Sequence, residues 1–208
     1  MALGAPRSST LALGIRMRHA FLLVLTVLGC SCAVSPHSVS VANQDEHQIY
    51  SIWLTLVLEK EPQAIVIIRE HTAKPKDFDY PSQDIFKGWS INGKEVTVDQ
   101  TTLADFKRAN RTSVVIRVEL PVPHEYLSTE ELNKVFGERH GWKGFRERHP
   151  HSHGFYSFAR VGFSRDGTEA LMYVEEYAGS LEAGGRYVLF RKFNGHWGYV
   201  AEKNAWIS

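Results

Sequence analysis

The chain has 208 residues, 43% of them hydrophobic, with 24 Lys and Arg against 23 Asp and Glu and two cysteines. A charge so close to balance argues against a nucleic-acid partner, which calls for a basic stripe to neutralise phosphates. Both cysteines, Cys30 and Cys32, lie early, so the body has no disulfide framework and depends on a hydrophobic core, for which about 165 residues are enough.

Arg16, Met17, Arg18 and His19 precede an apolar run from Ala20 to Leu28 that ends at Gly29-Cys30. A charged start, an apolar stretch too short to span a bilayer and small residues at the junction predict an export signal over residues 1–29. It also reads as starting at Met17, with residues 1–16 as an upstream extension. Val27-Leu28-Gly29-Cys30 resembles the lipobox of bacterial lipoproteins, in which the cysteine becomes the new N-terminus and its thiol carries a lipid. Cys30 is then the lipidation site, and the protein is held to a membrane, periplasmic or outer, by that lipid. The alternative is a cut after Ser31-Cys32-Ala33, which releases a soluble secreted protein. Loss of the signal removes Arg7, Arg16 and Arg18 and leaves 21 basic against 23 acidic residues, a net charge of −2. No later apolar run has the length of a membrane span.

Residues 30–44 show no period and predict a flexible tether, followed by a single domain over 45–208. Asp45 offers an N-cap, and Ile49, Ile52, Trp53, Leu56 and Val57 recur at helical spacing, predicting an amphipathic helix from Glu46 to Leu58, closed by Pro62. Within Gln63 to Arg69, the run Ala64-Ile65-Val66-Ile67-Ile68 reads as a strand buried on both faces. The span from Thr72 to Lys94, with Pro75, Pro81, Gly88 and Gly93, reads as a long irregular surface loop. Val98-Asp99-Gln100-Thr101 leads through Leu103 and Phe106 into a short helix ending near Asn110. Val114 to Leu120 reads as a short edge strand stopped by Pro121 and Pro123. Ser128 and Glu131 form the capping box of a helix that buries Leu132, Val135 and Phe136 and ends at Gly137. His140 to Arg148 reads as the next helix, with Trp142 and Phe145 facing inward.

The final third changes character. Phe155 to Phe163, Thr168 to Tyr177, Arg186 to Phe193 and Trp197 to Trp206 are aromatic and β-branched runs, separated by Asp166-Gly167, a Gly-rich stretch and Asn194-Gly195. Asp-Gly and Asn-Gly tolerate the positive φ of tight hairpins, so these runs predict an antiparallel meander. The fold class is therefore α+β: helices of the N-terminal two-thirds packed on one face of a curved antiparallel sheet formed mainly by the C-terminal third.

Ser157-Phe158-Ala159-Arg160-Val161-Gly162-Phe163, Gly185-Arg186-Tyr187-Val188-Leu189, Gly195-His196-Trp197, Glu202 and Trp206-Ile207-Ser208 resemble a group of uncharacterised bacterial secreted or lipid-anchored proteins. The resemblance implies bacterial export and a shared fold, and it brings no catalytic residue. Members of that group carry two cysteines before the third strand where this chain has Ala178 and Glu182, so the loop disulfide they imply is absent. The last hairpin, where Gly195-His196-Trp197 feeds Tyr199-Val200, is also similar to the closing strands of NTF2-like cone domains, the alternative architecture.

Two candidate sites follow. Pairing through Asp166-Gly167 puts Ala159, Val161 and Phe163 with Ala170, Met172 and Val174 on a core face. It puts Tyr156, Phe158 and Arg160 with Leu171, Tyr173, Glu175 and Tyr177 on the other, provided no odd-numbered slip intervenes. Tyr156, Arg160, Tyr173 and Glu175 then form a guanidinium among aromatics with a carboxylate nearby, suited to a small anionic or planar ligand. The plain alternative is a structural Arg160–Glu175 pair. The second candidate is the His149-Pro150-His151-Ser152-His153 segment, with His140 upstream. His151 and His153 project to one side of an extended chain and, with His149, offer imidazoles to Zn or Cu, although a closed site needs a further ligand and a solvated loop is the plain alternative. No other cofactor is expected.

The chain has no Gly-x-Ser-x-Gly elbow, no His-Glu-x-x-His helix and no Gly-rich phosphate loop, and the body has no cysteine nucleophile. The expected function is that of an exported, non-catalytic binding or envelope module, partnered by an envelope protein or a small anionic ligand. The alternative is a hydrolase whose site forms around Arg160 and Glu175 or around His149–His153.

Overall fold

The computed structural model describes residues 39–40, 43–59, 63–75, 81–137 and 141–208. The export signal, Cys30, most of the tether, Pro62 and His140 lie outside the described residues. No described helix is long and apolar enough to cross a membrane.

Helix α1 (Gln44–Leu58) opens on Asn43, whose side-chain oxygen accepts from the Glu46 backbone N–H at 2.7 Å. Asp45, the expected cap, sits instead in the first turn. There its carboxylate accepts from Trp197 Nε1 at 3.0 Å and Lys192 Nζ at 3.2 Å, tying the helix start to the last hairpin. Asn43 wins the cap because a capping side chain must come from the residue just outside the helix, where the backbone is extended.

Two short strands lie apart from the main sheet. β1 (Val39–Ser40) and β5 (Val115–Ile116) pair with each other in parallel, so only two residues of the expected Val114–Leu120 strand are regular. The described part of the Thr72–Lys94 loop is less irregular than its composition suggested. β3 (Ser90–Ile91) and β4 (Lys94–Glu95) form a tight hairpin over Asn92-Gly93, both at positive φ. Phe86 in the same segment is fully buried.

The main sheet has seven strands: β2 (Val66–Arg69), β6 (His124–Leu127), β7 (Phe155–Phe158), β8 (Gly162–Phe163), β9 (Glu169–Gly179), β10 (Glu182–Phe193) and β11 (His196–Ile207). Their order is β11-β10-β9-β7-β2-β6, with β8 also on β9. The C-terminal strands pair antiparallel, as the Asn194-Gly195 turn requires. β2 is parallel to both β6 and β7, an arrangement the meander did not anticipate. Two parallel neighbours explain why β2 is apolar without alternation: Val66, Ile67 and Ile68 are all buried. β6 itself went unread, because Pro121 and Pro123 precede an ordered strand instead of marking the end of one.

Helices cover both faces of this sheet, which corrects the expectation of one covered face. On the first, α1 lays Ile49, Trp53 and Leu54 against Met172, Val174, Val188 and Phe190. On the second, α2 (Gln100–Ala109) inserts Phe106 beside Leu171, Tyr173, Tyr187 and Leu189, with Phe86 and Val98 from the preceding loop. Further along that second face, α3 (Thr129–Gly137) and α4 (Gly141–Arg148) bury Leu132, Val135 and Phe145 against Ile67 and Phe155. α3 starts as expected: Glu131 N–H donates to Ser128 Oγ at 3.1 Å while Ser128 N–H donates to Glu131 Oε2 at 2.7 Å.

The expected Phe155–Phe163 strand is broken into β7 and β8, and the break decides the faces. Phe163 pairs with Ala170 and Gly162 with Leu171, whereas Phe158 pairs with Val174 and Tyr156 with Glu176. Four steps from Phe158 to Gly162 therefore oppose three from Val174 to Leu171. The extra residue is a bulge, and it moves Tyr156 and Phe158 onto the α1 face while Tyr173 and Glu175 stay on the other. At Gly162 the chain passes under α2 so closely that a Cβ would clash with the backbone and Cβ of Phe106.

Candidate functional site

The bulge leaves backbone groups outside the ladder, and side chains from α1 and α2 satisfy them. Asn110, at the end of α2, accepts from Arg160 N–H and donates to Arg160 O, each at 2.8 Å. Tyr50 OH shares its single proton between Ala159 O, at 2.9 Å, and Glu46 Oε1, and Val161 N–H donates to Glu46 Oε1 at 2.9 Å. Glu46 is completely buried, yet its carboxylate has four donors. Besides Val161 these are Tyr50 OH at 2.8 Å, Arg160 Nε at 2.8 Å and an Arg160 Nη at 2.9 Å. A two-pronged guanidinium contact with further donors is the arrangement in which a buried carboxylate is tolerated. Burial, with the adjoining carboxylate, pushes the Tyr50 phenol well above its ordinary 10.0.

Arg160 is thus bound to Glu46 on α1 and not to Glu175. The predicted quartet is divided by the bulge. Tyr156 turns to the α1 face, where its hydroxyl donates to Glu176 Oε1 at 3.3 Å. Tyr173 and Glu175 stay together on the opposite face, in a hydrogen-bonded cluster with Tyr177 and Trp206. Trp206 Nε1 donates to Tyr173 OH at 2.8 Å, Tyr173 OH to Glu175 Oε1 at 3.0 Å, and Tyr177 OH to Glu175 Oε2 at 2.9 Å. Burial first, then the Glu175 charge, raises both phenols. Each carboxylate oxygen of Glu175 is already hydrogen-bonded, which marks the cluster as part of the fold.

The histidine segment forms a turn, with Ser152 N–H and Oγ both donating to His149 O, at 3.1 and 2.8 Å. His149 packs on Phe145 and stands 3.2 Å from Glu125 Oε2. His151 is exposed and gives its carbonyl to Ile65 N–H at 2.8 Å. His153 turns to a cleft described next. Among the described residues no group of three His, Cys, Asp or Glu side chains is placed to hold a metal ion.

That cleft, of about 730 Å³, opens between the C-terminal half of α1, the start of β2 and the α1 face of β9–β11. Its volume lies within the range of small-molecule sites, roughly 300–1,000 Å³. One wall is apolar: Trp53, Leu56 and Val57 from the helix, and Ile65 before β2. The other carries charge. Arg186 donates through Nη2 to Glu176 Oε2 at 2.7 Å, and its Nη1 is 3.8 Å from Glu202 Oε1. The three side chains form a diagonal ladder across β9, β10 and β11, flanked by Tyr156 and Tyr199. Leu56, Ile65 and Tyr199, exposed at 39, 37 and 37%, all line this cleft, whereas the more exposed Leu181, Ile207, Phe193 and Trp89 lie outside it.

Of the predicted site residues, the cleft therefore gathers Tyr156 and His153 alone. Trp53, Glu176, Arg186 and Glu202 were not anticipated as site residues. A charge set among apolar residues in a strand was the available signal, because such a residue has to find water, a partner or a ligand. No protein-family profile, curated protein or solved structure matches this chain.

Proposed function

We propose that this protein is an exported binding module, held to a membrane through Cys30, whose folded body takes a small amphipathic ligand in the cleft between α1 and β9–β11 and catalyses no reaction. The observation that carries this reading is the pairing of an exposed apolar wall, Leu56 and Ile65, with the Glu176–Arg186–Glu202 ladder across one cavity. Apolar side chains left in reach of water beside a few polar groups are the usual composition of a ligand seat. The export signal and lipobox resemblance supply the location, with the soluble secreted form as its alternative. The hydrolase alternative has two seats: Arg160 and Glu175 belong to opposite faces of the sheet, and of the His149–His153 segment it is His153 that lines the cleft. Any anionic ligand would have to bind without the Arg160 fork, which Glu46 already occupies.

The test is thermal unfolding of the full chain against a panel of small amphiphiles, since a ligand that prefers the native state raises the midpoint. At least one member should raise it, and Leu56→Asn, an exposed position whose loss leaves the fold intact, should abolish the rise. A panel without effect would overturn the cleft as a binding site. Retention of Cys30→Ser in the membrane fraction would overturn the anchor.

A further inference from the structure

The charge lining the cleft selects among amphipathic ligands. Three carboxylates, Glu176, Glu182 and Glu202, face it against two guanidiniums, Arg146 and Arg186, and His153 stands at the same rim. The cations are engaged: Arg146 donates to Ala178 O at 3.1 Å, and Arg186 holds Glu176 at 2.7 Å. Glu202 is held more loosely. Its Oε1 is 3.8 Å from Arg186, beyond hydrogen-bonding distance, and the side chain is 38% exposed. An anion entering here meets three carboxylates that repel it and an Arg186 already paired with Glu176, and only Arg146, held by a carbonyl, keeps its full charge to offset them. A cation meets an unsaturated carboxylate with the ring of Tyr199 close by.

We infer that the cleft takes an organic cation with an apolar body, a hydrophobic ammonium whose charged head sits at Glu202 and whose tail lies on Trp53, Leu56 and Ile65. The inference rests on the proposed binding function and adds the ligand's charge. The head gains a charge-assisted contact and, from Tyr199, attraction to the face of an aromatic ring. The electrostatics at Tyr199 agree in sign. After burial, the Glu202 charge is the larger influence on its phenol, raising it more than Arg186 lowers it. The tail accounts for the exposed apolar wall, which a hydrophilic cation would leave bare.

The experiment is calorimetric titration of the full chain with three probes that share one tail and differ in the head: octylammonium, octanol and octanoate, at neutral pH and low salt. Octylammonium should bind about tenfold more tightly than octanoate, with octanol between them, and Glu202→Gln should remove most of that difference. Leu56→Asn should weaken all three together. Equal or tighter binding of octanoate, or a Glu202→Gln variant that still prefers octylammonium by the same factor, would overturn the inference and leave the binding cleft standing. Failure of all three probes to bind would overturn the binding cleft, and the inference with it.

Discussion

Glu46–Arg160 and Glu176–Arg186–Glu202 are both carboxylate–guanidinium clusters on the α1 side of one sheet, and they have opposite surroundings. Glu46 is fully buried and is held by the Arg160 fork, the Val161 N–H and Tyr50 OH, all from within the chain, so it is closed off from any ligand. The ladder side chains are 26 to 38% exposed, with one contact at 2.7 Å and the other at 3.8 Å. The same chemical pair thus serves two ends. Where the carboxylate is buried and its donors all come from within the chain, the pair pins α1 to the bulged strand. Where one carboxylate has no close partner beside a cavity, it is the group to which we propose the ligand binds. The candidate quartet Tyr156, Arg160, Tyr173 and Glu175 is divided between these surroundings: Arg160 belongs to the sealed cluster, Tyr156 lines the cleft beside the ladder, and Tyr173 and Glu175 lie on the opposite face.

The largest expected effect breaks the sealed cluster. Glu46→Ala removes the carboxylate that holds the Arg160 guanidinium and the Val161 N–H, leaving Tyr50 OH with Ala159 O alone, and should cost about 3–5 kcal/mol of stability in urea unfolding. A loss below about 1 kcal/mol would mean that the sealed pair does not organise the bulge. An intermediate effect comes from alkaline pH. The folded-state value of Tyr50 lies well above its ordinary 10.0, so the unfolded chain releases this proton first and the native chain retains it. The resulting stability is complete below about pH 10 and declines as the pH rises further, and Tyr173 and Tyr177 act in the same sense. Unfolding free energy measured between neutral pH and pH 11 should fall, and Tyr50→Phe should flatten the fall although it weakens the protein at neutral pH. The smallest effect sharpens the contrast from the open side. Arg186→Gln should change stability by no more than about 0.5–1 kcal/mol, because partly exposed pairs are screened by water and salt. A loss as large as that of Glu46→Ala would make the ladder structural and deprive the cleft of its adjustable charge.

Much of the secondary structure was legible because its causes are local. The Ser128–Glu131 box acts over three residues, the Asn194-Gly195 turn needs only two residues that accept positive φ, and the spacing of Ile49 and Trp53 states a helical face. The unbroken apolar run at β2 correctly indicated burial on both faces. Missing was the information that its neighbours run parallel, because pairing direction depends on strands more than 50 residues away on one side and more than 80 on the other. The site was less legible than the fold. Its residues come from α1, the approach to β2 and three different strands, and within each segment they read as single charges or apolar residues with no motif.

By itself the sequence determined the α+β class, most helix positions, the C-terminal hairpins and a body that must rest on an apolar core, since each of these follows from neighbours a few residues apart. Tertiary structure decided which side of the sheet each aromatic and charged residue occupies. A single extra residue between Phe158 and Gly162 inverts that choice, and what holds the bulge is Asn110, 50 residues distant, and Glu46, 114 residues distant from Arg160. A strand has a period of two, so a slip of one residue exchanges core and site, and that slip is stabilised by groups the local sequence does not contain.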